Sequence, residues 1–261
     1  MNYQFFAKTD PGRARSNNED SVAFDDSTAL MVLADGMGGY NAGEIASGMA
    51  TAFIKSELSR WLSEAGDGAS LREVRRAMEI CVDNANLSIF NSANSNTQYA
   101  GMGTTLVVGV FRHDKLLLGH IGDSRCYLYR SGTLVQVTKD HSLLQEQIDA
   151  GLITPEQAAT SSIKNLVTRA LGVEEMVMLE INEHHVEVGD LYVMCSDGLS
   201  DMVSDSTIAK IIGEKTGLNE LAGQLIDAAN GNGGRDNISV ILAEIGGPTE
   251  KRGLIARLLG K

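Results

Sequence analysis

Apolar residues recur every three or four positions in two long segments of the first half of the chain. In residues 42–62 they fall at Ile45, Met49, Phe53, Leu58, Trp61 and Leu62. In residues 71–89 the recurrence is more regular, at Leu71, Val74, Met78, Cys81, Ala85 and Ile89. Because this spacing puts apolar side chains on one side of an α-helix, it predicts two long helices.

After these segments the pattern changes to short apolar runs. The first four occupy residues 105–111, 116–121, 126–129 and 133–137, with turn residues such as Ser131-Gly132 between them. Links of this length cannot carry a parallel crossover, so the runs predict an antiparallel meander. Further strands are predicted at residues 29–34, 179–186, 191–195 and 238–245, and helices near residues 205–212 and 219–229. Runs of strands beside runs of helices indicate an α+β layered fold.

Residues 140–171 differ from their surroundings. A helix is predicted at residues 143–150 and a second one starting at Thr154-Pro155-Glu156, followed by a polar stretch. An excursion of this size between strands is typical of a surface lid or binding loop.

No repeat or low-complexity linker interrupts residues 1 to about 245, which predicts a single domain over residues 1–246. The remaining tail, residues 247–261, is basic and roughly amphipathic. A terminal helix is the favoured interpretation of this tail. The alternative is that residues 251–261 anchor the chain to a partner or a membrane surface.

The net charge of the chain is −12 at pH 7. Such a charge repels phosphate backbones and anionic lipids, so it argues against nucleic-acid binding and against membrane contact outside the tail. The three cysteines are widely spaced and form no Cys-x-x-Cys pair, which indicates neither a disulfide framework nor a zinc site. Since no apolar run approaches 18 residues either, we expect a cytoplasmic protein.

Four aspartates stand at the ends of predicted strands, namely Asp35, Asp123, Asp197 and Asp236. A rigid sheet holds such side chains at its rim, where a hard cation would offset their mutual repulsion. Oxygen ligands favour Mg²⁺ or Mn²⁺ over Zn²⁺. From spacing alone, four unrelated turn aspartates remain the alternative, because Asp-Gly after a strand is also a common turn.

A further charged segment spans residues 12–20, where Arg15 precedes Glu19 and Asp20. A guanidinium group binds phosphate through two N–H groups, and the two carboxylates can accept hydrogen bonds from metal-bound waters. A solvated charged turn has the same character, so this segment alone is weak evidence.

Seven short motifs nevertheless occur in a fixed order along the chain. They are Gly12-x-x-Arg15-x-x-Asn18-Glu19-Asp20, Asp35-Gly36-Met37-Gly38-Gly39, Gly101-Met102-Gly103-Thr104-Thr105, Gly122-Asp123-Ser124-Arg125, Asp140-His141-Ser142, Ser196-Asp197-Gly198-Leu199 and Arg235-Asp236-Asn237. Together they resemble the bacterial branch of the metal-dependent serine/threonine phosphatases of type 2C, over residues 9–245. The resemblance implies an α-β-β-α sandwich of two antiparallel sheets flanked by helices, a flap at about residues 140–171, and a monomer.

The resemblance also implies roles for individual residues. The ligands it implies for two catalytic Mn²⁺ or Mg²⁺ ions are Asp35, Asp197, Asp236, the backbone carbonyl of Gly36 and, through water, Glu19 and Asp20. A third, weaker ion would use Asp123 together with Asp197. Arg15 matches the phosphate-binding arginine.

The chemistry implied by this arrangement is direct attack on phosphorus. Two divalent ions about 3.5–4 Å apart can share a water, lower its pKa and aim the resulting hydroxide in line at the phosphate. Arg15 would neutralise the phosphoryl oxygens in the transition state. Eukaryotic relatives have a histidine directly after the Asp-Gly, whereas this chain has Met37, so a metal-bound water or another group must protonate the leaving oxygen. His141 is a candidate substrate contact, with a purely structural histidine as the alternative.

These features predict a phosphatase acting on phosphoserine and phosphothreonine in proteins, which would oppose a serine/threonine kinase. A cysteine-based phosphatase is disfavoured, since it needs an arginine six residues after its nucleophile and Leu87, Gly132 and Asp201 occupy those positions. A catalytically silent phosphoprotein-binding adaptor would show loss of a metal ligand or of Arg15. A hydrolase of small phosphate esters remains a second alternative.

Overall fold

The computed structural model describes residues 1–39, 42–159, 161, 166–214 and 216–247. The strands in chain order are β1 (Asn2–Asp10), β2 (Asp20–Asp25), β3 (Leu30–Met37), β4 (Gly103–Thr104), β5 (Leu106–Arg112), β6 (Lys115–Ile121), β7 (Arg125–Arg130), β8 (Thr133–Gln136), β9 (Glu180–His185), β10 (Leu191–Cys195) and β11 (Ile238–Gly246). One sheet has the order β1-β11-β10-β7-β8, and the other has the order β2-β3-β5-β6-β9 with the short β4 beside β3. All of these pairings are antiparallel.

The central strand β3 shows why the two sheets stack. Its residues Met31 and Leu33 contact the core between the sheets, together with side chains such as Tyr192 and Met194 of the opposite sheet. The alternating residues of β3 pack on the other side against helices. This alternation follows from the two-residue period of a strand, and burying each large apolar side chain stabilises the fold by about 1.5–3 kcal/mol.

Helices cover the outer face of each sheet. The helices in chain order are α1 (Ala42–Ala65), α2 (Leu71–Ser95), α3 (Leu143–Asp149), α4 (Pro155–Ala159), α5 (Asp197–Ser200), α6 (Asp205–Gly213) and α7 (Leu218–Gly231). Helices α1 and α2 pack on the sheet that contains β3, and α5, α6 and α7 pack on the sheet that contains β10. The predicted α+β sandwich of two antiparallel sheets flanked by helices is therefore confirmed.

The predicted apolar face of helix α1 is confirmed only in part. Its fully buried residues include Ala42, Ala46 and Ala50 as well as the predicted Leu58 and Leu62, whereas the predicted Ile45 is 37% exposed. Small side chains let the helix axis approach the strands closely, which larger residues would prevent. In α2 the predicted face is confirmed, and a capping box of Ser70 and Glu73 fixes its first turn.

Strands β1 and β2 were not predicted from the pattern. Both are edge strands, and most of their residues are half-buried. The predicted tail helix lies outside the described residues, as does most of the polar part of the excursion. Within the described ranges, no helix combines the length and the apolar character needed to span a bilayer.

Candidate metal centre

The predicted acidic residues meet at one end of the sandwich. Asp20 in β2 lies directly opposite Asp35 in β3. In the other sheet, Asp197 follows β10 as the first residue of α5, and Asp236 stands just before β11, which pairs with β10. Asp123 lies in the turn between β6 and β7. The structure thus brings aspartates from both sheets to the same rim.

The electrostatics of this cluster are unfavourable without a cation. Burial raises the pKa of Asp35 well above its ordinary value, and the charges of Asp20, Asp197, Asp123 and Asp236 raise it further. Burial also raises the pKa of Asp197, with Asp123 and Asp236 adding to the effect. The pKa values of Asp20 and Asp123 rise to about 6, in both cases chiefly because of burial. Carboxylates that raise one another's pKa in this way are suited to hold divalent cations.

Asp20 provides a second observation in favour of a cation. Its Oδ2 accepts a hydrogen bond of 2.8 Å from the Ser196 hydroxyl. Its Oδ1 is buried and has no hydrogen-bond partner among the described residues. A buried carboxylate oxygen without a donor is costly, and a cation or its bound water would satisfy it.

Gly36 is required by the close approach of α1 to β3. A Cβ atom at this position would lie 2.1 Å from the carbonyl oxygen of Gly43 and 2.6 Å from that of Glu19. The amide of Gly36 donates a 3.0 Å hydrogen bond to the Glu19 carbonyl. Gly36 and Glu19 are therefore held together by the backbone, and the Glu19 carboxylate accepts a 3.1 Å hydrogen bond from the Asn17 side chain.

Arg15 lies at the mouth of the cluster. Its Nη2 donates a hydrogen bond of 2.7 Å to Oδ2 of Asp236, and its side chain is 49% exposed. The same hydrogen bond is the main reason why the pKa of Arg15 is raised further. The loop before it is fixed to the other end of the chain, because the amides of Arg13 and Ala14 both donate to the Gly234 carbonyl. The guanidinium thus stands beside the carboxylates and is open to solvent.

Three neutral residues complete the site and were not assigned roles from the sequence. The buried Asn237 accepts from the Glu19 amide at 2.7 Å and donates to the carbonyls of Pro11 and Asn17 at 3.0 and 2.8 Å. The Thr105 hydroxyl accepts from the Asp35 amide at 3.0 Å. The Ser196 hydroxyl accepts from the Ser239 amide at 3.0 Å. All three residues occur in the matched motifs, which was the available signal for them.

His141 lies behind the cleft. It is 7% exposed, and its ring stacks on His120 with the centroids 4.6 Å apart. Its Nδ1 accepts from the Gly122 amide at 3.2 Å, and its Nε2 lies 3.2 Å from the Glu180 carboxylate. Burial lowers its pKa. The substrate contact predicted for His141 stays a prediction, since these contacts are with the protein itself.

Cavities flank the carboxylate cluster. One of about 420 Å³ lies beside α3 and α4 and is lined by both carboxylates and apolar residues, including Asp123, Asp197, Asp201, Asp205, Leu144 and Ile148. Another of about 520 Å³ begins at Met37 and is lined further by Arg169, Val173, Met176 and Met178. In the wall of the first cavity, Asp140 accepts three hydrogen bonds of 2.6–3.0 Å from Arg125.

Comparisons with known proteins agree with this geometry. The family model described as "Protein phosphatase 2C" matches residues 12–241. The serine/threonine protein phosphatase PstP of Mycobacterium tuberculosis is 38% identical over 242 residues, which cover 93% of this chain and 45% of PstP. The serine/threonine phosphatase stp of Listeria monocytogenes is 36% identical over 240 residues, which cover 91% of this chain and 94% of stp.

A solved structure shares the architecture. It is the catalytic domain of PstP in complex with two manganese ions, with a TM-score of 0.81 at 38% identity and coverage of 94% of this chain and 99% of that one. The family model and both relatives extend over most of this chain, although the chain spans less than half the length of PstP. From these matches and from the sandwich that carries the acidic cluster, the chain belongs to the protein phosphatase 2C family.

Proposed function

We propose that this protein is a Mn²⁺- or Mg²⁺-dependent phosphatase that hydrolyses phosphoserine and phosphothreonine in proteins. The observation that carries the proposal is the meeting of buried, mutually repelling aspartates with a solvent-open guanidinium, that of Arg15, 2.7 Å from Asp236. The relatives named as serine/threonine phosphatases and the two manganese ions of PstP support it.

The donor set fits hard divalent cations. All the candidate side chains are carboxylates, and one buried oxygen of Asp20 has no donor among the described residues. The residues that would hold two ions are Asp35, Asp197, Asp236, the Gly36 carbonyl and, through water, Glu19 and Asp20. Asp123 would join Asp197 at a third, weaker site. Bound ions would supply positive charge that polarises the phosphate and lowers the pKa of the attacking water.

Arg15 binds the phosphate in this proposal. Its hydrogen bond with Asp236 holds one edge of the guanidinium toward the cleft. Its partial exposure lets it reach the non-bridging oxygens of a phosphoryl group, where planar N–H donors neutralise charge that must be held in the transition state. Asn237 keeps the loop that carries Arg15 in place through hydrogen bonds to Pro11 and Asn17.

The leaving oxygen must be protonated by something other than the residue after Gly36. Met37 offers a thioether, which has no proton to give. We assign this step to water in the cleft, since the Met37 side chain lines an open cavity.

The proposal extends to the organisation of the chain and to its partners. Residues 1–246 would form the phosphatase domain, with a flap at about residues 140–171, and the tail 247–261 would lie outside it. The partners would be phosphorylated proteins and a serine/threonine kinase, with the enzyme a cytoplasmic monomer that does not bind nucleic acid.

The test is hydrolysis of p-nitrophenyl phosphate and of phosphoserine and phosphothreonine peptides with Mn²⁺, with and without EDTA. We expect turnover that EDTA abolishes and that Asp197→Asn removes by several orders of magnitude, while Asp26→Asn, at an exposed turn position, leaves it intact. Full turnover in EDTA, or no turnover by a folded sample with Mn²⁺, would refute the proposal. If small metabolite esters are hydrolysed faster than any phosphopeptide, the substrate is a small phosphate ester and the proposed protein substrate is wrong.

A further inference from the structure

We propose that His141 is a positioning residue: it holds the Gly122-Asp123 turn from behind and joins it to the base of the 140–171 excursion. The inference rests on the proposed function, because Asp123 matters there as the carboxylate of the third cation site. It gives a role to the Asp140-His141-Ser142 motif, in which the proposed mechanism uses no residue.

The main evidence is that His141 forms hydrogen bonds with both backbone polar groups of Gly122. The backbone amide of His141 donates to the Gly122 carbonyl at 2.9 Å, and the Gly122 amide donates to Nδ1 of the His141 ring at 3.2 Å. Gly122 has a φ of +101°, and a Cβ atom there would lie 2.7 Å from the Thr105 side chain. The turn is thus held by both of its backbone polar groups in a conformation that favours glycine. Asp123, 9% exposed, is the next residue.

The ring of His141 is itself held on its far side. Because Nδ1 accepts a hydrogen bond, the neutral ring carries its proton on Nε2. That nitrogen lies 3.2 Å from the Glu180 carboxylate in the edge strand β9, which accepts the proton's hydrogen bond. This is the arrangement by which a carboxylate fixes the tautomer and orientation of a histidine.

The same residue closes the base of the excursion. The Thr168 amide donates to the His141 carbonyl at 2.8 Å, Ser142 forms an isolated bridge with Val167, and the Leu143 amide donates to Leu166 at 2.9 Å. The first residues of the excursion, 141–143, therefore pair with residues 166–168 at its end, and His141 in this pairing also binds Gly122.

A second metal centre is the competing interpretation of these side chains. His120, His141 and Glu180 each offer a ligand atom within 4.8 Å of the others. The two rings, however, are stacked at an interplanar angle of 18°, so their in-plane lone pairs do not converge on one ion. His120 Nε2 is also 2.7 Å from the Lys139 carbonyl, and the Arg169 guanidinium lies 3.4 Å from His141 Nε2. The positive charge of Arg169 disfavours a cation at this position. The interpretation that remains is that His141 supports the Gly122 turn through hydrogen bonds.

Two isosteric variants separate the roles of the ring nitrogens. In His141→Asn the amide oxygen can replace Nδ1 and keep the bond from Gly122, whereas in His141→Gln the amide reaches the position of Nε2 and leaves Gly122 without its acceptor. We expect His141→Gln to weaken Mn²⁺ binding at the weakest site, measured by calorimetry, by about 10–100-fold, and His141→Asn to bind much as the unaltered protein does. The matched control is His185→Gln, at an exposed histidine on β9.

Hydrogen exchange at the Gly122 amide, measured by NMR in the absence of metal, gives a readout that does not depend on activity. Exchange should be faster in His141→Gln than in His141→Asn. Equal exchange and equal Mn²⁺ binding in the two variants would overturn the proposal. If His141→Gln does not fold, ¹⁵N NMR of the unaltered protein decides: a protonated Nδ1 on His141 would also overturn it. Absence of Mn²⁺-dependent hydrolysis by the unaltered protein would instead refute the proposed function. The hydrogen-exchange measurement would still test whether His141 holds Gly122.

Discussion

Asp20 is the residue at which the unfavourable electrostatics of the metal-free site are most directly measurable. The substitution Asp20→Asn keeps the shape of the side chain and removes one negative charge. Its amide oxygen can still accept the hydrogen bond that Ser196 donates at 2.8 Å. The change therefore isolates the charge, with little alteration of packing.

The size of the effect follows from the pKa. Burial and neighbouring charge raise the pKa of Asp20 from 3.8 to about 6. At about 1.4 kcal/mol per pKa unit, holding this carboxylate ionised costs the metal-free fold about 3 kcal/mol. Because the folded pKa is the higher one, the cost is absent below about pH 4, grows up to about pH 6 and is complete above it. In EDTA at pH 8, Asp20→Asn should then melt about 6–12 °C above the unaltered protein.

The assay is thermal and urea unfolding in EDTA at pH values from 4 to 8, with the unaltered protein and Asp26→Asn as references. Asp26 stands in the exposed turn after the same strand, so its substitution should not change the pH dependence. With Mn²⁺ the difference in melting temperature between Asp20→Asn and the unaltered protein should shrink or change sign, since the ion stabilises most the protein that binds it more tightly. A difference between Asp20→Asn and the unaltered protein that is constant from pH 4 to 8, or a less stable variant at pH 8 in EDTA, would refute the reasoning.

Three further changes test other parts of the site. In steady-state kinetics, Arg15→Ala should lower kcat for phosphopeptides by about 10²–10³-fold. Arg15→Lys should restore only part of the lost kcat, because lysine lacks the planar pair of N–H donors. Gly36→Ala should lower the free energy of unfolding by about 1–3 kcal/mol in a denaturant titration, since its Cβ would meet the Gly43 carbonyl; Gly39→Ala, where a Cβ atom meets none of the described residues within 4 Å, is the neutral control. Asn237→Asp removes two donors to the Arg15 loop and should raise the inhibition constant of inorganic phosphate; an unchanged constant would contradict the positioning role.

The amino-acid pattern was informative where an element is fully buried on one face or on both faces. Helix α2 buries one regular stripe, whereas β5, β6 and β10 are buried on both faces, between the two sheets and against helices, so their sequences are continuous short apolar runs. Strands β1 and β2 lie at sheet edges and are half-buried, and such strands carry little periodic signal. In α1 the predicted Leu58 and Leu62 are buried, but Ile45 is exposed and alanines complete the face toward the sheet.

For the site, the acids could be predicted and their supports could not. Asp35 or Asp197 stands at the end of an apolar run, which is visible in the chain. Which acid faces which is set by strand pairing between distant segments, such as the register that puts Asp20 opposite Asp35. Such pairing depends on the whole sheet, and no local pattern encodes it.

The neutral residues around the acids follow from the same electrostatic problem. Carboxylates that repel one another cannot hold one another in place, so their geometry must be imposed through the backbone. Thr105 binds the amide of Asp35, Asn237 binds that of Glu19, and His141 binds that of Gly122, beside Asp123. Each is a buried side chain that accepts from one backbone N–H next to or within an acidic residue. A metal site assembled from both sheets therefore depends on these acceptors as well as on its ligands, and substitutions at them should disturb cation binding without removing a single carboxylate.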